Sequence, residues 1–247
     1  MSSDFPSRRQ MLVALPIAPY LLLGCAGPSI KAASDRYVSP DFRPPKAGSI
    51  ILVLHLPALE PVYRVGDEEI RKLVQASLFK AGYRVGVIEP EDYMLALRAE
   101  FQQLRRTTPA PTPEQLALAE MQALSTVAKV GSELTGSPVL LRTRLLTRSA
   151  NLWQSYATWD GVSRPIVFAD SKPNEVRANI EGTGSGISLE VVATSSDGRL
   201  LLKNYGGISL PFYASRSGRP LTVDKPLAVQ SHLAQGVDIA LSPFYER

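Results

Sequence analysis

The sequence predicts an α/β (α+β) domain. A mixed sheet begins with a β-α-β unit, helices pack on it, and an antiparallel hairpin and a terminal helix form the C-terminal end. Three observations predict this. Ser49 to Leu56 is a continuous apolar run ended by Pro57, followed by a helical stripe and a second short apolar run, Tyr83 to Ile88. Ser196-Asp197-Gly198 separates the alternating Ile187-Ser188-Leu189-Glu190-Val191 from a returning run, Arg199 to Tyr205. Behind Asp224 and Pro226, apolar residues recur at helical spacing up to Leu241.

Each element follows from local chemistry. The length and β-branched content of Ser49 to Leu56 suit a strand buried on both faces, with His55 as a partly buried, hydrogen-bonded residue near its end. Pro57 to Gly66 reads as a loop and Asp67 as the cap of the next helix. That helix carries Ile70, Leu73, Val74, Ser77, Leu78 and Ala81 on one face and stops at Gly82. Tyr83 to Ile88 returns as a parallel strand. Pro90 opens a helix with Glu91 and Asp92 in its first turn, where the helix dipole favours negative charge. Met94, Leu97, Phe101 and Leu104 form its stripe. Thr112-Pro113-Glu114-Gln115 combines a threonine cap, a proline at the first position and a glutamine three residues after the cap. It starts a long helix that runs through Leu116, Ala119, Ala123, Leu124, Val127 and Leu134 to Gly136. This helix pair either packs on the sheet or forms a partner-binding arm.

Val139 to Leu146 reads as the third strand, with Arg142 and Arg144 on one face. Ser155 to Phe168 is mixed and aromatic around an Asp160-Gly161 turn. Gly182-Thr183-Gly184-Ser185-Gly186 reads as a flexible loop. It lacks the glycine spacing of a nucleophile elbow and the following helix of a phosphate loop. Ile187 to Val191 and Arg199 to Tyr205 make the hairpin, and Gly206-Gly207 is expected to interrupt it before Ile208 to Tyr213.

The 247 residues carry a net charge of +4 and a single cysteine, Cys25. The positive excess is scattered. Its densest patch, Arg142, Arg144 and Arg148, is too sparse to argue for nucleic acid. Arg8 and Arg9 precede an apolar run, Met11 to Leu23, which ends in Leu22-Leu23-Gly24-Cys25. That order of charged head, apolar stretch and small residues is the pattern of an export leader. The run falls short of the ~20 residues needed to cross a bilayer.

Leu-Leu-Gly-Cys at this place resembles the lipobox of bacterial lipoproteins. The resemblance implies a cleaved signal peptide, residues 1–24, and a lipid on Cys25. Ser7-Arg8-Arg9-Gln10-Met11-Leu12 also resembles the twin-arginine export motif, with Met11 where a phenylalanine is usual; general secretion stays open beside it. Ala26 follows the cysteine, where an aspartate would mark inner-membrane retention, and so resembles an outer-membrane lipoprotein. Residues 25–48, rich in Pro and Gly, read as a lipidated N-terminus and flexible linker, and residues 49–247 as one α/β domain. The element order, the lipobox and the Ala81-Gly82-Tyr83-Arg84-Val85 joint together resemble envelope lipoproteins with a TolB-N-terminal-like domain. Curli-secretion and penicillin-binding-protein-activator lipoproteins belong to that group. It implies a non-enzymatic binding or assembly module anchored through lipid and facing the periplasm.

No catalytic motif, metal site or cofactor site emerges from the residues themselves. With Cys25 lipidated no thiol remains, and His55 and His232 lie far apart. The carboxylates Glu68, Glu69, Glu89, Glu91 and Asp92 sit at helix starts. A hydrolase acting on an envelope polymer would need two of them to face across a cleft. The expected partner is an envelope protein, docked through Trp153, Tyr156, Trp159, Arg142 and Arg144, because large aromatics favour interfaces. A subunit of an oligomeric secretion or transport assembly is the alternative, and the oligomeric state is open.

Overall fold

The computed structural model describes residues 35–168, 180–215 and 220–245. Along the chain the elements are β1 (Tyr37–Val38), β2 (Ile50–Leu56), α1 (Arg64–Lys80), β3 (Arg84–Ile88), α2 (Pro90–Thr107), α3 (Pro113–Thr135) and β4 (Val139–Gln154). They continue with β5 (Tyr156–Trp159), β6 (Val162–Pro165), β7 (Ile180–Ser195), β8 (Leu200–Ser209), β9 (Phe212–Ala214), β10 (Pro220–Thr222) and α4 (Gln230–Leu241). The fold is a mixed α/β sandwich. The main sheet runs β1-β8-β7-β4-β2-β3, with β5 added to β4 and β6 to β5. β2 is parallel to both β3 and β4, and the remaining pairs are antiparallel. The predicted β-α-β start, the C-terminal hairpin and the last helix are all present.

Period-two alternation divides the sheet into two apolar faces. Ile51, Val53, Val139, Leu141, Leu189 and Val191 pack against Ile70, Val74 and Leu78 of α1 and Leu233, Val237 and Leu241 of α4. Leu52, Leu54, Leu140 and Val192 face the other way, against Tyr93 of α2 and Ala123, Leu124, Val127 and Ala128 of α3. The α2–α3 pair is therefore a layer on the sheet. Beyond it, β4 and β7 continue side by side from Val139↔Ser195 to Gln154↔Ile180. The β5–β6 hairpin folds over that extension, burying Ala150, Leu152, Trp159 and Val162.

The long helix α3 begins as its sequence dictates. Thr112 accepts the Gln115 N–H while the Gln115 side chain accepts the Thr112 N–H, and Gly136 ends the helix at φ 71°.

Four expectations change. The third strand extends to Gln154 rather than Leu146. Gly182 to Gly186 is no loop: it lies inside β7, where the missing side chains admit larger neighbours. A Cβ on Gly186 would sit 2.4 Å from the Trp159 ring. Gly206-Gly207 likewise does not interrupt β8; a Cβ on Gly206 would lie 1.9 Å from the Gly236 carbonyl of α4, so the glycine permits close helix–strand contact. Finally, the folded domain reaches back before Ser49. β1 pairs with β8, Ser39 donates to Leu201, and Phe42 is buried edge-on against Phe244 at 5.5 Å. The expected linker is thus fastened to the domain from Asp35 onward. The expected leader, with Arg8 and Arg9, and Cys25 and Ala26 lie outside the described residues.

Candidate functional site: an apolar groove beside an open strand edge

The C-terminal ends of the parallel strands carry most of the unusual chemistry. β2 ends at Leu56, and Pro57 turns the chain away through a loop and a 3₁₀ turn at Pro61–Tyr63. Asp67, expected as a helix cap, is instead buried inside α1, which starts three residues earlier. Its carboxylate meets His55 Nε2 at 3.1 Å and accepts the Ala58 N–H at 2.9 Å, while His55 Nδ1 meets the Thr143 hydroxyl at 2.8 Å. The histidine is buried and hydrogen-bonded near the strand end, as expected. A hydroxyl, an imidazole and a carboxylate in line resemble a nucleophile relay. Here, however, Thr143 is 0% exposed, and the contacts clamp the loop after β2 to α1. His55 and Asp67 also line a cleft of about 420 Å³ with Glu68, Glu89 and Glu91. Glu68 is taken up by Arg71, at 2.6 and 2.8 Å.

On the other side of that loop lies a larger groove, about 860 Å³. Its walls are the loop from Leu56 to Tyr63, the first turns of α2, and β4 from Arg144 to Thr147. The predicted stripe of α2 is rotated by one residue at its start: Tyr93 is buried, while Met94 turns outward. As a result Met94 and Leu95 stand 40% and 63% exposed on the α2 wall, opposite a loop wall that carries Leu59, 92% exposed. An apolar concavity with a few polar residues at its rim is the usual form of a docking site. Burial pushes the Tyr63 phenol up, with the Thr147 hydroxyl and Glu60 as its hydrogen-bonding neighbours.

β4 supplies the groove's second feature. Its pairing with β2 stops at Leu56↔Arg144, and its pairing with β5 resumes only at Asn151↔Thr158. Between them, residues 145–150 are paired with β7 alone among the described strands.

Next to the groove, on the α2–α3 face, runs a charged strip. Glu190, 2% exposed, accepts from Arg142 and Arg144, both at 2.6 Å. Arg148 grips Asp35 at 2.7 and 3.1 Å, also holds Asp160, and lies 4.0 Å over the Tyr205 ring. Burial opposes ionisation of Asp35, but hydrogen bonds from Arg148 and Tyr205 and the charges of Arg148 and Lys203 prevail, holding its carboxyl at about 2. Burial pushes the Tyr205 phenol up, and its hydrogen bond to Asp35 adds to this. The strip fastens the N-terminal segment across the sheet.

The five residues expected to dock a partner are not brought together. Trp153 and Tyr156 face each other across the β4–β5 pairing, 58% and 51% exposed. Trp159 is buried in the distal core and donates to the Ile187 carbonyl at 3.3 Å. Arg142 is buried against Glu190, and only Arg144 reaches the groove. The groove depends on where β2 stops relative to β4, which no local sequence pattern encodes; the one local sign is a leucine, Leu59, in a loop between Pro57 and Pro61.

No known protein family matches the chain, and no curated protein does. Among solved structures, two of PelC are distantly similar. One is the PelC dodecamer from Paraburkholderia phytofirmans, at 10% identity and TM-score 0.38, covering 83% of this chain and 95% of that one. The other is the dodecamer of a leucine-to-methionine point variant of PelC from the same organism, at 9% identity and TM-score 0.37, covering 82% and 95%. Among the described residues no helix is long and apolar enough to cross a membrane, and no group of three or more His, Cys, Asp or Glu residues is placed to hold a metal ion.

Proposed function

We propose that this chain is a lipid-anchored, periplasm-facing module of the bacterial cell envelope that docks a protein partner and performs no chemistry of its own. The groove carries this reading. Leu59 on the loop after β2 and Met94 and Leu95 on the first turns of α2 are exposed around one concavity, a grouping of apolar side chains that supports a docking site. The Leu22-Leu23-Gly24-Cys25 stretch supports the anchor. Because Asp35 is fastened to the sheet, the chain from Cys25 to Asp35 cannot exceed about 35 Å even when fully extended. The groove therefore works close to the membrane, which favours a membrane-embedded or membrane-bound partner, and Ala26 after the cysteine favours the outer membrane.

Two measurements test the reading. Cys25→Ala is expected to abolish acylation and release the protein from membranes; a variant still acylated and membrane-bound contradicts the anchor. Leu59→Asp with Leu95→Glu is expected to abolish crosslinking to a defined envelope partner while the fold survives; unchanged crosslinking contradicts the groove. Mass measurement of the detergent-solubilised protein separates docking from an oligomeric assembly, which would give a ring or higher multimer.

A further inference from the structure

We propose that the occupant of the groove is an extended segment of the partner, which adds as a β-strand to the open edge of β4 in line with β2. This deepens the docking reading and rests on it. Asn151 presents its carbonyl to the β5 side, where it accepts from the Thr158 hydroxyl at 3.4 Å. The β4–β7 register is unbroken along this stretch. Alternation then sends the N–H and C=O groups of Leu145, Thr147 and Ser149 to that same side, and those of Leu146, Arg148 and Ala150 toward β7. No described strand pairs with the first three. A sheet edge of alternating donors and acceptors is matched by another extended backbone, the mode known as strand addition.

The slot fixes the size of the occupant. Residues 145–150, between the last β2 pair and the first β5 pair, span about 20 Å, room for a strand of roughly five or six residues. Such a segment buries far less than the ~800 Å² per partner of a standard interface between folded proteins, so a linear segment fits better than a second copy. The outer strands of this chain's own main sheet, β1, β3 and β6, are each already paired along one side and tied into a folded domain, so a free linear segment enters the six-residue gap between the last β2 pair and the first β5 pair more readily than they do. Side chains on alternate positions of the incoming segment meet Leu56, Leu59 and Leu95, so those positions are apolar.

The test uses a displayed library of heptapeptides with apolar residues at alternate positions, selected on the full-length protein. The best binder is measured by residue-resolved amide exchange. In the free protein Leu145, Thr147 and Ser149 amides exchange faster than Leu146, Arg148 and Ala150. The bound peptide is expected to slow the first three at least tenfold and leave the others unchanged. N-methylating the peptide on the face toward β4 abolishes binding, whereas methylating the opposite face does not. Because this variant lies in the peptide, folding of the protein is not at issue. Binding that Leu95→Glu removes, without the alternating protection or the methylation asymmetry, overturns strand addition and leaves the groove reading standing. A library with no binder sensitive to Leu95→Glu overturns both. Protection of the three amides that grows with protein concentration alone identifies a second copy and overturns the choice of occupant.

Discussion

Glu190 is the residue on which the charged strip balances, and replacing it by leucine gives a sharp prediction. Its carboxylate is 2% exposed and is met at 2.6 Å by both Arg142 and Arg144. Arg142 is itself 5% exposed, so Glu190→Leu leaves a guanidinium inside the sheet without its main counter-charge. Removing one partner of a buried pair costs about 3–5 kcal/mol. Glu120 stands 3.6 Å from Arg142 and is 37% exposed, which offers partial neutralisation and places the cost at the lower end, about 3 kcal/mol. For a chain of this size that is a fall in Tm of roughly 6–12 °C. The assay is urea unfolding monitored by near- and far-ultraviolet circular dichroism. Adding Arg142→Leu to Glu190→Leu removes the stranded charge and is expected to restore most of the loss. A single variant that loses less than about 1 kcal/mol, or a double variant no better than the single, refutes the claim that Glu190 exists to neutralise Arg142.

Other outcomes follow from the same structure. Trp159→Ala is expected to cost about 3–5 kcal/mol in urea unfolding, while Trp153→Ala stays within about 0.5 kcal/mol, because only the first fills the distal core. Gly206→Ala drives a methyl into the Gly236 carbonyl and is expected to cost at least about 1–3 kcal/mol, seen as a lower urea midpoint at unchanged slope. Asp35 titrates at about 2 in the folded protein, below the ~3.9 of an unfolded aspartate. Its contribution is therefore fully present above about pH 4 and is lost as pH falls toward 2. Asp35→Asn is expected to flatten the pH dependence of stability across that window and to speed amide exchange at Tyr37 and Val38.

The sequence announced elements more readily than their meeting places. Helix α3 was legible down to its cap, because Thr112, Pro113 and Gln115 act on one another within a single turn. The β-α-β start was legible because apolar period and breakers are local. The glycines misled. Gly184, Gly186, Gly206 and Gly207 read as breaks, yet each opens room for a distant neighbour: Leu152, Trp159, α4 or Val162. Asp67 misled for the same reason, since its partners His55 and the Ala58 N–H are set by how α1 meets the end of β2. Of the five residues expected to bind a partner, aromatic character alone could not separate the buried Trp159 from the exposed Trp153. The groove arises from a mismatch of strand lengths, β2 ending at Leu56 while β4 runs on to Gln154, and no single stretch of sequence encodes it.

Crosslinking in the native envelope decides whether the groove docks a protein partner. A photoreactive residue is placed at Leu95, in the groove, and in a separate protein at Arg106, at the far end of the same helix. One discrete protein adduct is expected from position 95, lost on Leu59→Asp, and none from position 106. Equal adducts from both positions, or an adduct at 95 indifferent to Leu59→Asp, would contradict it.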